Sequence, residues 1–193
     1  MNNIVTIIIM VLLIALVGYI IFIFNKISKA SNSNIQALRE LDVILKKRLN
    51  LIPNLKEMIK GYTKIEKITL EDIDSIKDRL SVKMTVYNRQ KEEDKFSAII
   101  KDIVVSLEDY PELKQSPNFL QFHDELVVIE KEIEKSRRHY NDTNRNYNAL
   151  IKKFPNNILA SILGYNKRAF FEVDLLTKEE VTINFVDRRK ADR

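Results

Sequence analysis

The chain opens with a run of apolar residues, 4–24, that contains no charged side chain (IVTIIIMVLLIALVGYIIFIF). A helix of this length is about 31 Å long, which matches the hydrocarbon layer of a bilayer. The rest of the chain is far more polar, and charged residues make up 31% of the whole. The sequence therefore predicts an N-terminal transmembrane anchor at residues 1–25, in contact with the lipid bilayer through residues 4–24, and a separate domain behind it.

A cleaved signal peptide is the alternative interpretation of the same run. Such a peptide has a basic segment before a shorter apolar core and a small-residue cleavage site after it. Here residues 1–3 carry no lysine or arginine, and the nearest small-residue stretch, 28–31, contains Lys29. The chain also has no cysteine, which excludes lipoprotein processing. These features favour a retained anchor.

Basic residues follow the apolar run and do not precede it. Since positive flanks stay on the cytoplasmic side, we expect a single-pass protein of the inner or plasma membrane, with its N-terminus outside and its C-terminal domain in the cytoplasm. Anionic lipid also attracts juxtamembrane lysine and arginine. The candidate lipid-facing basic residues are Lys26, Lys29, Lys46, Lys47 and Arg48.

Three glycines and four prolines in 193 residues indicate long helices and few turns. The predicted fold is all-α, with the transmembrane helix followed by an up-and-down bundle of long helices. We expect this bundle to resemble a four-helix bundle, built from three long helices and a short C-terminal one. The net charge is +5, but the lysines are mixed with acidic residues and form no aromatic-interleaved basic patch. No nucleic-acid partner is therefore predicted.

Helix one of the bundle is expected to begin at Ser33 or Asn34, after a basic and polar linker at residues 26–33. Its apolar residues repeat every seven positions, as in a coiled coil. Pro53 lies inside this pattern and predicts a kink or a short break. Farther on, the sequence leaves two possibilities open, since helix one either continues to about residue 82 or breaks near residues 67–69.

Helix two is predicted from Phe96 to Leu107, after a charged turn at residues 88–95, and a loop follows at residues 112–117. Helix three has the most regular repeat. It is expected to run from Phe119 to Phe154, with apolar or aromatic residues every seven positions. The aromatic members of this repeat, Phe154 among them, are interpreted as core.

A short apolar helix is expected at residues 158–163, closed by Gly164. The bundle domain then covers residues 34–173, and a C-terminal tail covers residues 174–193. The last part of that tail, residues 187–193, is predicted to be disordered.

The search for catalytic chemistry finds no known signature. His123 and His139 are sixteen residues apart and lack the partners that metal motifs require. Phosphate-binding glycine loops, dinucleotide fingerprints and nucleophile elbows are absent from the sequence. We therefore expect no enzyme activity, no cofactor, no metal and no catalytic residue.

One polar cluster near the end of helix three goes against local preference, because asparagine is a mediocre helix former. Such misfits often mark function or hydrogen bonding between elements, and we favour structural bonding or a partner surface over a ligand site. The candidate interaction or structural residues are Arg137, Arg138, Asn141, Asp142, Arg145, Tyr147 and Asn148.

Several segments together resemble the LemA family. They are LDVILKKRLNLIPNL at 41–55, Gly61-Tyr62 with Glu66, YPELK at 110–114 with NFL at 118–120, RRHYND at 137–142 with Tyr147-Asn148, FPNNI at 154–158 with Gly164, and FFE at 170–172. They occur in the family's order behind an N-terminal anchor. The resemblance implies a bacterial, single-pass membrane protein with a cytoplasmic helical bundle. It brings no established activity, cofactor or catalytic residue.

Three functions are therefore weighed. The favoured one is a membrane-tethered scaffold or interaction module that presents its bundle to a membrane or cytoplasmic protein partner. The alternative is a lipid or small-ligand sensor at the membrane surface, which would use the juxtamembrane basic residues. An enzyme with a cryptic site at the polar cluster is the third, and it would need a concave pocket with convergent polar groups.

Overall fold

The computed structural model describes residues 2–60, 73–80, 82, 84–106 and 110–171. Every regular element in these ranges is a helix, which confirms the all-α fold. The helices are α1 (Asn2–Leu49), α2 (Ile52–Ile59), α3 (73–80), α4 (Val86–Ser106), α5 (Pro111–Lys114), α6 (Pro117–Lys152) and α7 (Asn156–Ile162). The alternative helix break at residues 67–69 and the tail 174–193 lie outside the described residues.

Helix α1 is continuous over 48 residues, from the apolar run into the bundle. The predicted linker at residues 26–33 and the helix start at Ser33 or Asn34 are therefore wrong. Neither glycine nor proline interrupts residues 19–49. Neither of the expected caps ends the helix: Ser33 is exposed within it, and the side chain of Asn34 is buried and accepts a hydrogen bond from Arg168.

The apolar half of α1 is exposed along almost all of residues 4–22, whereas Ile23 and Ile27 are buried. By length and composition this half can cross a membrane, and it is the one such segment in the described part of the chain. It is compatible with a membrane anchor, although a signal sequence shares the same properties.

Pro53 produces a break and not a kink. Helix α1 ends at Leu49, and Pro53 occupies the first turn of α2, where its missing N–H and its fixed φ cost nothing. Ile52, Leu55 and Ile59 continue the apolar stripe of α1 into α2, and all three are buried.

The predicted charged turn at residues 88–95 is wrong, because α4 already begins at Val86. Charges in this stretch are paired with other elements, so they do not oppose helix formation. Arg79 on α3 contacts Glu92 at 2.7 Å, for example. The predicted loop at 112–117 contains a single helical turn, α5, which Pro111 begins.

Helix α6 agrees closely with the predicted helix three. The Ser116 hydroxyl accepts the Phe119 N–H at 3.2 Å and caps its N-terminus. Helix α7 confirms the short apolar helix, and Gly164 follows its end at φ +73°. The Tyr165 N–H bonds to the Ala160 carbonyl and the Gly164 N–H to the Ser161 carbonyl, which is a Schellman motif.

Side-chain contacts show the relative directions of the three long helices. Lys47 on α1 contacts Glu132 on α6, whereas Asn34, which comes earlier in α1, contacts Thr143. Helices α1 and α6 are therefore antiparallel. Helix α4 runs parallel to α1, because Asp42 contacts Arg89 and Arg48 contacts Ser97. With α3 contacting both α2 and α4, the described helices form an up-and-down bundle.

The core divides into three clusters along the bundle. The cluster farthest from the apolar run joins α2, α3, α4, α5 and the start of α6 around Phe96. The middle cluster surrounds Tyr140 between α1 and α6. The third lies beside the end of the apolar run, where Ile23 and Ile27 pack against Tyr147, Ile151 and Ala160.

Candidate functional site

The first polar site is built on Arg48, which lies in the last turn of α1 and is 1% exposed. Its Nη1 donates to Ser97 Oγ at 2.7 Å and to Glu130 Oε1 at 2.8 Å, while Nη2 bonds to Glu93. The guanidinium also lies over the Phe96 ring, 4.9 Å from its centroid. One arginine thereby connects α1 with α4 and α6.

Glu93 is the fully buried partner of Arg48. Burial raises the pKa of Glu93, and the positive charge of Arg48 opposes that rise. Asp42 shows the same balance on a smaller scale. Burial raises its pKa, and Arg89, whose Nη1 lies 2.8 Å from Asp42 Oδ1, acts in the other direction. Together with Glu130, these groups form the charge cluster, which comprises Asp42, Arg48, Arg89, Glu93 and Glu130.

The charge cluster is a structural site by its geometry. Its cations and anions pair with one another and come from three helices, and Arg48 and Glu93 at its centre are buried. A buried ion pair adds little net stability over an apolar core, but losing one partner is costly. The cluster therefore specifies how α1, α4 and α6 align. Arg48, expected to face lipid, is instead in the core, and that expectation is wrong for this residue.

The remaining candidate basic residues divide by position. Lys46 and Lys47 follow the end of the apolar run by more than twenty residues along one helix, which is about 33 Å. They are exposed, and Lys47 pairs with Glu132 at 3.7 Å. Lys26 and Lys29 are exposed in the first turns after the run. Only these last two keep the position that lipid contact requires.

The second polar site holds residues 165–171, an extended segment called the strap here. Asn141 Nδ2 donates to the Phe171 carbonyl at 2.6 Å, and its Oδ1 accepts the Phe171 N–H at 2.9 Å. Asn148 makes the same pair of bonds to Arg168, both at 3.0 Å. Each amide thus acts as a neighbouring β-strand would act, and satisfies one backbone donor and one backbone acceptor of the strap.

Three further side chains of α6 bind the strap. Asn144 Nδ2 donates to the Ala169 carbonyl at 2.7 Å. The hydroxyl of Tyr140 donates to the same carbonyl at 2.8 Å, and that of Tyr147 donates to the Asn166 carbonyl at 3.0 Å. Burial raises the pKa of both tyrosines, so each hydroxyl remains a neutral donor. The residues of α6 that bind the strap, called the asparagine ladder here, are Tyr140, Asn141, Asn144, Tyr147 and Asn148.

Arg168 extends the strap's contacts to α1. Its Nη1 donates to the Ser31 carbonyl at 3.0 Å and to Asn34 Oδ1 at 2.8 Å, and its Nη2 donates to Ser31 Oγ at 2.8 Å. The guanidinium lies 4.4 Å from the centroid of the Tyr147 ring. The strap therefore fastens α1 to α6.

Some residues of the predicted polar cluster contact the strap, and the others are exposed to solvent. Asn141, Tyr147 and Asn148 bind the strap, as described. Arg137 lies 5.8 Å from the Phe171 ring centroid and 3.5 Å from Asp94. The other three members are exposed and pair along the helix surface, where Arg138 contacts Glu134 and Arg145 contacts Asp142.

Sequence reasoning missed Asn34 and Arg168 as site residues. Nothing near them in sequence distinguishes them, because the two side chains bond to each other across more than one hundred residues of the chain. The asparagine ladder did carry a signal. Positions 141, 144 and 148 follow the spacing that places side chains on one helix face, next to the two tyrosines.

An open groove between α1 and α6 contains His139. It has a volume of about 470 Å³. It is lined by Glu40, Val43, Ile44, Lys47, Glu132, Lys135, Ser136 and His139. The other histidine, His123, stacks on Phe119 at 6.0 Å. Within the described ranges, no group of three acidic, histidine or cysteine side chains is placed so that it could hold a metal ion. The absence of a bound metal remains a prediction.

Fold and sites together define a class of protein: a helical bundle continuous with an N-terminal apolar helix, and closed by a strap on a ladder of asparagines. The chain belongs to the LemA family, whose family model matches residues 37–185. It is similar to Protein LemA of Metamycoplasma hominis (strain ATCC 23114 / DSM 25592 / NBRC 14850 / NCTC 10111 / PG21), with 24% identity over 170 residues. That alignment covers 86% of this chain and 78% of the relative. The family match confirms the resemblance seen in the sequence, and it carries no established molecular activity.

Proposed function

We propose that this protein is a membrane-tethered scaffold that holds a helical bundle at the cytoplasmic surface of the membrane and presents it to a protein partner. The observation that carries the proposal is the continuity of α1. One helix contains both the apolar run and the buried face of the bundle, without a flexible linker between them. The bundle would therefore be held in a defined orientation to the bilayer.

Retention of the anchor is supported by the packing of its last turns. Ile23 and Ile27 are buried against Tyr147, Ile151 and Ala160. Cleavage in the small-residue stretch 28–31 would remove both isoleucines and open a cavity in that cluster. Each loss costs on the order of 2–5 kcal/mol by analogy with large-to-small core substitutions. A removable signal sequence would not be expected to fill the core of the mature protein.

A non-enzymatic role is supported by the way the polar residues are used. The charged groups of the charge cluster pair with one another, and the amides and hydroxyls of the asparagine ladder bind the protein's own backbone. The exposed surface includes the groove at Val43, which is open to a partner. An interaction module uses such surface, whereas catalysis needs polar groups directed at a ligand.

Anchor retention and topology are tested by intact mass and by reporter fusions. We expect membrane-extracted protein to retain residues 1–30, and a C-terminal reporter that works only in the cytoplasm to be active. A mature N-terminus after residue 27, or activity of a reporter that works only outside the cytoplasm, would overturn the anchored topology.

Partner binding is tested by photo-crosslinking in intact cells. A photoreactive amino acid at Val43 samples the groove, and the same residue at Val105 on α4 is the matched control, since these valines are 58% and 55% exposed. We expect a discrete adduct from position 43 that is absent from position 105. It should weaken when residues 1–22 are deleted, because the tether then no longer concentrates the bundle at the membrane. Identical products at the two positions would contradict the scaffold.

A further inference from the structure

Helix α7 has an outer face that the bundle does not cover. Ile158 is 51% exposed and Ile162 is 74% exposed, while the flanking Phe154 and Leu163 are 75% and 46% exposed. The heptad repeat predicted that Phe154 belongs to the core, and the structure shows that this is wrong. Four large apolar side chains on one short segment are more than the scattered exposure that a soluble surface normally carries. They are called the α7 patch here.

The inner face of α7 determines where this patch lies. Ala160 packs with Ile23 and Ile27 of α1, and the Tyr165 hydroxyl is 3.0 Å from Ser28 Oγ. Since the apolar run ends at Phe24, α7 is beside α1 at the level where that run ends. A bilayer spanned by residues 4–24 would meet the α7 patch at its surface.

The charge around the patch is of one sign. Residues 2–39 and 143–171, which form this end of the bundle, contain no aspartate or glutamate. Their cations include Lys26, Lys29, Lys152, Lys153 and Lys167, all of them exposed. A side-chain hydrogen bond with Lys152, together with the positive charge of Lys152, lowers the pKa of Lys167, which reflects how close these two cations are. Large apolar side chains bordered by lysines are the features that bind a helix into the surface of an anionic bilayer.

We propose that the α7 patch inserts into the headgroup region of an anionic membrane and forms a second lipid contact beside the anchor. This inference rests on the proposed anchoring of α1 and adds a role for α7. A helix anchored at one point can tilt, and a second contact on the side of the bundle restricts that tilt. The groove at Val43 is then presented in one orientation to the bilayer. A second copy of the chain is disfavoured as the occupant, because two such lysine-bordered patches would repel each other.

The experiment uses the full chain, which lacks native cysteine, in vesicles of phosphatidylcholine with phosphatidylglycerol. Three single-cysteine variants carry an environment-sensitive fluorophore: Ile162→Cys on the patch, Leu13→Cys in the apolar run, and Val128→Cys on α6. Val128 is 56% exposed and near the level of Arg48, so it is an apolar control away from the bilayer. Quenchers in the lipid headgroup region, at the bilayer centre and in water report the location of each label.

We expect the label at position 162 to be blue-shifted and quenched several-fold more by headgroup-level lipid quenchers than the label at position 128. Omission of phosphatidylglycerol should weaken this quenching at position 162 and leave that at position 13 unchanged. If position 13 is quenched from the bilayer centre but position 162 behaves like position 128, the α7 contact is wrong and the anchor stands. If position 13 escapes lipid quenchers, the proposed anchoring itself fails. Protection of position 162 from both lipid and aqueous quenchers would indicate a protein occupant and overturn the proposal.

Discussion

The charge cluster and the asparagine ladder both include residues of α6, but they stabilise the fold in different ways. The charge cluster pairs ionised side chains from three helices with one another. The asparagine ladder uses neutral groups of α6 to satisfy the backbone of an extended segment. A buried charge needs a partner of opposite sign, whereas an extended backbone needs donors and acceptors in register. The charge cluster therefore aligns helices, and the ladder holds the strap.

The largest expected effect comes from removing the central cation of the charge cluster. Arg48→Met leaves Glu93 buried without its partner, and we expect the free energy of unfolding to fall by about 3–5 kcal/mol. Urea unfolding of the full chain in detergent, followed by circular dichroism, measures this loss. Lys46→Met in the same turn is the matched control and should change stability by less than about 0.5 kcal/mol, since Lys46 is exposed.

A double variant sharpens the same test. Adding Glu93→Leu to Arg48→Met removes the unpaired anion, and we expect part of the lost stability to return. If Arg48→Met alone is no more destabilising than Lys46→Met, the charge cluster does not have the role given to it here.

The next effect concerns the asparagine ladder. Asn144→Leu removes the amide that donates to the Ala169 carbonyl, and we expect a loss of about 1–3 kcal/mol together with faster tryptic cleavage at Lys167 and Arg168. Asn146→Leu, at an exposed position two residues away, is the control and should leave cleavage unchanged. Equal cleavage of the two variants would show that the strap does not depend on the ladder.

The contributions of the charge cluster and of the asparagine ladder to the free energy of unfolding should also depend differently on pH. The pKa of Glu93 is raised above its ordinary value of 4.5. The folded state therefore holds this proton more tightly than the unfolded state does, and the contribution of Glu93 is complete below pH 4.5 and is lost as the pH rises through its folded pKa. The unfolding free energy of the wild type minus that of Glu93→Gln should fall as the pH rises.

Glu92, the preceding residue, provides the control of opposite sign. Hydrogen bonds from Lys95 and Arg79 lower the pKa of Glu92. Its contribution is present above pH 4.5 and is lost as the pH falls through its folded pKa, so the corresponding difference for Glu92→Gln should rise with pH. The neutral ladder adds no slope in this range. Two differences of the same sign would contradict the assigned burial of Glu93.

The smallest expected effect lies on the outer surface of the predicted polar cluster. Asp142 and Arg145 pair at 3.3 Å, but their side chains are largely exposed. Asp142→Asn should change the free energy of unfolding by no more than about 0.5 kcal/mol, because exposed pairs contribute little. Urea unfolding followed by circular dichroism, as for Arg48→Met, measures this change in the free energy of unfolding. A loss as large as that of Asn144→Leu would mean that the outer surface of α6 contributes to the fold.

Much of the helix pattern was predictable from local chemistry. The heptad repeat predicted α6 to within two residues at each end, and Gly164 was expected to close α7. The predictions failed where a polar residue is satisfied by a distant element. Glu93 lies in a stretch that resembles a turn, but it is buried against Arg48 on another helix. Asn34 has the chemistry of a helix cap, but its side chain accepts a hydrogen bond from Arg168.

The sequence by itself determined the all-α class, the apolar run and the family, because these depend on composition, periodicity and the order of local motifs. Only the tertiary structure decided that α1 is uninterrupted, that Arg48 is buried and that the outer face of α7 is exposed. The physical reason is that an arginine or an isoleucine has the same local preferences at a surface and in a core. Its role depends on what packs against it, and residues distant in the chain supply that packing. The apolar run determines that a membrane contact is expected, and the position of α7 beside it determines where a second one would form.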